Sequence, residues 1–259
     1  MKKFVLVMVA LVIGLIYAGS ANAFLVGSWD LNEGQGTVAN DSSGFNNQGS
    51  VDPSLNWVPG KYGSALQFDG SPSARVIIPD SPSLDLVNNF TIMAWVEPNT
   101  IAGGSHVVLS KYTPTNQISF NFHQADSSNP GKWQTDTTFA NLWSDTPIQE
   151  GVWQHIAVTF DGNIMQFYIN GVPDGSQIVP SSNGGFYIAD DPVVIGALNG
   201  FAPSTYDGVI DEVRIYNNAL SGDEIVRNMN FDSNAVPEPA TILLFGTGLV
   251  GAFLRKRRA

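Results

Sequence analysis

The sequence predicts an all-β protein, an antiparallel two-sheet jelly-roll sandwich with one short helix near its C-terminal end. Three observations carry this. Eight runs, at 76–78, 90–96, 106–109, 117–122, 155–160, 165–169, 193–195 and 209–216, are apolar or β-branched, and clusters of Gly, Pro, Asn, Asp and Ser separate them. Asp161-Gly162 joins two of these runs and Asn170-Gly171 ends the second; both dipeptides supply the positive φ of tight hairpins. Strand-like and helix-like segments do not alternate, which argues against a parallel α/β sheet.

The elements follow in order. Lys2-Lys3, an apolar run over 4–18 and Ala21-Asn22-Ala23 have the layout of a secretory signal peptide cut after Ala23. In the run 155–160, Ile156, Val158 and Phe160 share one face; in the next, Met165, Phe167 and Ile169 do. These are core faces of one sheet packed on another. In 209–216, period two puts Asp211 on the face of Val209, Val213 and Ile215, so a carboxylate is expected to point coreward. Ser221 and Glu224 form a capping box that starts a helix running to about Asn228. The C-terminus reads Val236-Pro237-Glu238-Pro239, an apolar segment over 240–254, then Arg255, Lys256, Arg257 and Arg258. By length alone the segment is marginal for a full membrane span, and the basic tail would remain cytoplasmic, leaving the body outside. The expected organisation is a signal peptide (1–23), one sandwich domain (24–232), a linker (233–236) and a C-terminal transmembrane helix with its flanks (237–259).

Charge narrows the function classes. The 259 residues carry a formal net charge of −11. Most of the excess acid lies in the body: between residues 24 and 235, six basic residues face 22 acidic ones, which leaves −16. Such a surface repels phosphate backbones, so no nucleic-acid partner is expected. The chain contains no cysteine, which excludes disulfides, zinc-thiolate sites and cysteine nucleophiles.

Two resemblances enter at this point. VPEP at 236–239, the apolar segment and the basic tail resemble the PEP-CTERM sorting signal. That resemblance implies an exosortase-type sorting protease as partner. It also implies export across the inner membrane of a Gram-negative bacterium, to the cell surface, the outer membrane or an exopolysaccharide matrix. In the body, SWDLNEG (28–34), DSSG (41–44), GKYGSALQFDG (60–70), FTIMAWV (90–96), WQHIAVT (153–159), YING (168–171) and GVIDEVRIY (208–216), leading to ALS (219–221), occur in that order. The ordered set resembles the laminin-G-like jelly roll of the concanavalin A-like lectin/glucanase superfamily over roughly residues 26–230. The resemblance implies a carbohydrate- or protein-binding module, often with a structural calcium.

Candidate sites follow from residue chemistry. Glycosidases need two carboxylates across the scissile bond. The Glu-x-Asp-x-x-Glu strand of the glucanase relatives is absent, and Asp190-Asp191 and Asp211-Glu212 are adjacent, so each pair points to opposite faces of a strand. His106, His123 and His155 show no metal or catalytic spacing, and His155 reads as a packed sheet residue. No catalytic residue is therefore expected. For calcium, the loop 41–47 offers side-chain oxygens and a glycine, and Asp211 needs a partner. The resemblance adds that the family's calcium site joins an N-terminal loop to this late strand. Asp41, Asn46 and Asp211 are the expected ligands, with Asp30 and Asp69 behind them. The alternatives are an Asx turn at Asp41, and pairing of Asp211 with Arg75, Arg214 or backbone N–H groups. For sugar, Trp133 and Trp143 lie in the polar stretch 124–151, and Phe201 and Tyr206 precede the last strand. Trp29, Trp95 and Trp153 sit in core-like motifs. The expectation is an exported, non-catalytic, carbohydrate-binding module. The alternatives are a structural or adhesive protein-binding surface protein and a diverged glycosidase.

Overall fold

A computed structural model describes residues 24–102, 106–113, 117–124, 129–137, 140–179, 188, 190–199 and 204–230. The expected signal peptide and sorting segment lie outside these residues. The chain divides into two units, at 1–229 and 230–259, and the first holds the sandwich. No helix among the described residues is long and apolar enough to cross a membrane.

In chain order the strands are β1 (Leu25–Trp29), β2 (Val38–Ala39), β3 (Gly49–Val51), β4 (Asn56–Pro59), β5 (Ser64–Asp69), β6 (Val76–Ile78), β7 (Phe90–Pro98) and β8 (Val107–Thr113). They continue as β9 (Gln117–Gln124), β10 (Lys132–Thr137), β11 (Asn141–Pro147), β12 (Gln154–Phe160), β13 (Ile164–Ile169), β14 (Val172–Ile178), β15 (Val193–Ile195) and β16 (Asp207–Tyr216). One sheet runs β14-β13-β12-β7-β16-β5-β4, with β1 also paired to β16. The other runs β11-β10-β9-β8-β15-β6-β3-β2. All pairings are antiparallel, giving the expected two-sheet sandwich.

The alternation read from the sequence builds the core. Ile156, Val158 and Phe160 of β12 and Met165, Phe167 and Ile169 of β13 join Trp29, Phe68, Phe120 and Phe122 in one buried cluster between the sheets. Asn170 and Gly171 take φ of 51° and 78° at the β13–β14 turn, as a two-residue hairpin requires. The helix α1 (Gly222–Met229) starts where the capping box places it. The Ser221 N–H donates to Glu224 Oε2 at 2.8 Å, and the Glu224 N–H donates to Ser221 Oγ at 3.4 Å. Its Ile225 packs with Met93, Ala157, Tyr216 and Leu220 in a second cluster, on the outer face of the first sheet.

Two sequence expectations are overturned. The polar stretch 124–151 contains two regular strands, β10 and β11, that complete the edge of the second sheet. Asp211 does not share a face with Val213 and Ile215. Glu212 adopts φ 52°, and the pairing of β16 with β7 shifts register between Asp211 and Arg214. This bulge reverses the alternation. Gly208 and Ile210 are buried before it; after it Val213 and Ile215 face the core, while Asp211, opposite Trp95, lies on the outer face.

Candidate functional site

The outer face of the first sheet accounts for Asp211. The loop between β4 and β5 folds over it, and the Tyr62 N–H donates to its Oδ2 at 3.0 Å. A Cβ on Gly60 would stand 2.6 Å from that oxygen, so the loop closes only over a glycine. Burial pushes the Asp211 carboxyl up to about 7; the N–H groups of Tyr62, Glu212 and Lys61 and the charge of Arg214 pull the other way. Next along the row, the Trp95 ring meets His155 edge-on at 5.3 Å, and the Lys61 ammonium lies 4.2 Å over the indole. Burial, helped by Arg214, drives His155 down to about 3, so it stays neutral. Trp95 Nε1 and the Tyr62 hydroxyl both donate to the Met229 carbonyl, which ties the C-terminal end of α1 to this face. The row packs the C-terminal end of α1 against the sheet.

The expected calcium ligands do not come together. Asp41 Oδ1 accepts the N–H groups of Ser28 and Ser43, both at 2.9 Å; Oδ2 accepts the Ser43 hydroxyl and the Asn47 N–H, both at 2.8 Å. Both oxygens of this carboxylate are therefore taken up by donors from its own loop and from Ser28. Asn46 points to solvent from φ 60°. Asp30 accepts the hydroxyls of Ser28 and Ser42 and lies 3.8 Å from the Arg214 guanidinium, while Asp69 accepts the Ser71 N–H in a local turn. Asp41 and Asp211 share no hydrogen-bond partner, and among the described residues no three His, Asp or Glu side chains are placed to hold a metal. The donor set does not fit calcium as one site. The loop is an Asx-type turn, and Asp211 accepts the Tyr62 N–H at Oδ2 while its buried Oδ1 has no hydrogen-bond partner among the described residues.

The aromatic candidates separate cleanly. On β10, Trp133 faces inward, has no exposed surface and belongs to the main core; its indole N–H points to Gln154 Oε1 at 3.4 Å. Tyr206 is also fully buried and packs edge-on against Phe68 at 6.2 Å. Neither reaches a ligand from solvent. Phe201 and the sorting residues Val236, Pro237, Glu238 and Pro239 lie outside the described residues. Trp143 behaves differently. On β11 it alternates with the inward Leu142 and Ser144, so it stands half-buried on the outer side, opposite Gln134. Its Nε1 donates to Gln134 Oε1 at 3.0 Å, which fixes the plane of the ring.

Trp143 lines a cleft of about 490 Å³ at the seam between the two sheets. β11 and β14 are the edge strands on the same side of the sandwich. Asp174 of β14 joins them: its carboxylate accepts the N–H groups of Asp145 and Thr146 at 2.9–3.1 Å. Gly175 then passes so close that a Cβ there would stand 2.4 Å from the Trp143 carbonyl oxygen. Besides Trp143, the walls include Lys132, Asn141, Asp145, Ser176 and Gln177. The Lys132 ammonium donates to the Asp145 carbonyl. The Asn141, Asp145, Ser176 and Gln177 side chains are exposed. An aromatic ring of fixed orientation, amides and a hydroxyl in one groove suit a ligand with both C–H faces and hydroxyls. Of these residues the sequence singled out Trp143 alone. Alternation along 141–145 would have found Asn141 and Asp145, but nothing local joins them to Ser176 and Gln177.

Comparison with known proteins agrees with this architecture. A family model described as the concanavalin A-like lectin/glucanases superfamily matches residues 69–226, and the PEP-CTERM protein-sorting motif matches 235–258. Adhesion G-protein coupled receptor V1 of Danio rerio is 26% identical over 174 residues, which cover 62% of this chain and 3% of the receptor. Among solved structures, domain 4 of an extracellular arabinanase from Geobacillus stearothermophilus, in complex with arabinotriose, aligns with TM-score 0.63 at 20% identity. That alignment covers 80% of this chain and 98% of the domain. The binding domain of a paraclostridial mosquitocidal protein aligns with TM-score 0.65 at 19% identity, over 80% of this chain and 52% of that one. A Trypanosoma rangeli sialidase aligns with TM-score 0.60 at 18% identity, over 82% of this chain and 34% of the sialidase. At such identities the structural likeness speaks for the fold. With its family model matching more than half of its length, the chain belongs to the concanavalin A-like lectin/glucanase superfamily and ends in a PEP-CTERM protein-sorting motif.

Proposed function

We propose that this protein is an exported, surface-sorted module that binds carbohydrate and performs no catalysis. The Trp143 cleft carries the reading: it brings a half-buried indole together with exposed amides and a hydroxyl. The resemblance of the fold to an arabinanase domain solved with arabinotriose supports it. The sorting motif supports processing by an exosortase-type protease, after export across the inner membrane to the cell surface or an exopolysaccharide matrix. In the cleft the exposed carboxylate is Asp145, while Asp174 is occupied by two backbone N–H groups. That leaves one acid where glycoside hydrolysis uses two, which supports binding over hydrolysis.

The test is a panel of immobilised polysaccharides and oligosaccharides probed with the full chain in detergent. Saturable binding to at least one glycan, with no shortening of the bound chain on incubation, is expected. Absence of binding across the panel would overturn the carbohydrate reading in favour of a structural or adhesive role. Release of reducing ends would overturn the non-catalytic one.

A further inference from the structure

We infer that the Trp143 cleft takes an uncharged polysaccharide segment, lying across the β11–β14 seam, and rejects polyanionic glycans. This rests on the carbohydrate reading above and narrows it to one place and one ligand class.

The charge pattern on every wall points the same way. β11 presents Asp145, and Asp174 of β14 bonds its backbone, while Lys132 on β10, the one cation lining the cleft among the described residues, donates to the Asp145 carbonyl. Behind Trp143, the outer row of β10 continues through Gln134 to Asp136. The Gln134 amide and His123 Nε2 on β9 both turn to Asp136, at 2.5 and 2.7 Å. Carboxylates thus outnumber cations around the groove, within a body of net charge −16. A uronate, sialate or sulfate ester would enter against this field, with no arginine fork to receive it. An uncharged sugar pays no such penalty and uses what is exposed.

Geometry sets how the ligand lies. The bond from Trp143 Nε1 to Gln134 holds the indole in place at the wall of the cleft, where it can serve as a fixed platform for the C–H side of a sugar ring. Asn141 flanks it on the same strand, with Ser176 and Gln177 on the facing strand, so hydroxyl partners stand on both sides of the indole. Because both walls are edge strands, the groove is open at its sides. A chain can run through it, and a free sugar end is not needed.

The experiment measures binding of the full chain to matched neutral and anionic polymers, such as arabinan and dextran against polygalacturonate and alginate. Salt is varied from about 50 mM to about 500 mM. Trp143→Ala and the double variant Asn141→Ala/Gln177→Ala are run beside it, with melting curves for each. Neutral polymers should bind with little salt dependence. Both variants should weaken binding about tenfold or more, as for the central residues of other interfaces, and should melt near the parent. The double variant removes two exposed side chains, so it remains informative even if loss of the Trp143 indole loosens the sheet edge. Binding to anionic polymers alone, or neutral binding untouched by either variant, would overturn this inference and leave the carbohydrate reading intact. No binding to any glycan would remove both.

Discussion

Asp211 and His155 face opposite electrostatic problems within one row of side chains, flanking Trp95. Between the ordinary aspartate pKa of 3.8 and its native value near 7, folded Asp211 keeps a proton that the unfolded chain has lost. Its stabilising effect is therefore full at low pH and disappears as pH rises through about 7. For His155, native near 3 against an ordinary 6.5, the unfolded chain holds the extra proton between those values. Its contribution is full above 6.5 and disappears as pH falls through that window. From about pH 4 to pH 6.5 the two slopes oppose, each up to about 1.4 kcal/mol per pH unit. Urea unfolding at about pH 4.5 and about pH 6.5 checks this. Asp211→Asn should gain stability on going up in pH, His155→Gln should lose it, and the parent should change less than either. Unchanged profiles in both variants would mean that neither group titrates with folding. Strand periodicity alone implies that Asp211 needs a partner. It does not tell which, because the partner N–H groups belong to a loop about 150 positions away, whose approach depends on Gly60.

At the scale of elements, the seam between β11 and β14 decides whether a cleft exists. Asp174 joins the strands, and Gly175, at φ 52°, allows the backbones to close. Gly175→Ala must push the Trp143 carbonyl aside as well as strain a left-handed residue. We expect a loss of about 1–3 kcal/mol together with weakened glycan binding. Gly131→Ala is the control, since Gly131 has φ 78° but open space around its would-be Cβ. Thermal melts of the two variants, followed by binding, separate conformational cost from collision. If Gly175→Ala costs no more than Gly131→Ala, the close approach does not hold the seam. The hairpin at Asn170-Gly171 and the capping box at Ser221 were legible because each is a local rule acting over two to four residues. β10 and β11 were not. Their outer faces carry Lys132, Gln134 and Asp136, then Asn141 and Asp145, so an edge pair with one polar face reads as a polar stretch without strands. Within it, Trp133 and Trp143 have similar neighbourhoods in sequence and opposite fates, because alternation sends one inward and the other outward.

For the whole molecule, the acidic body raises the question of an ion. The expected calcium ligands are divided between the Asx turn at Asp41, the hydroxyl cluster at Asp30 and Asp211 under the β4–β5 loop. The apolar cluster between the sheets is the main packing of the domain among the described residues. Melting curves in calcium and in chelator are therefore expected to coincide; a midpoint that rises with calcium would show that the Asp41 loop can open its four hydrogen bonds to bind an ion. The sequence by itself determined the class of fold, the C-terminal sorting motif, the short helix and the absence of cysteine chemistry. Each of these is written in periodicity, composition or a motif of a few neighbouring residues. Tertiary structure alone decided the face of Asp211, the burial of Trp133 and Tyr206, and the meeting of Trp143 with Ser176 and Gln177. The physical reason is common to all three. One bulge reverses every side chain beyond it, and sheet packing brings together strands whose separation along the chain carries no local signal.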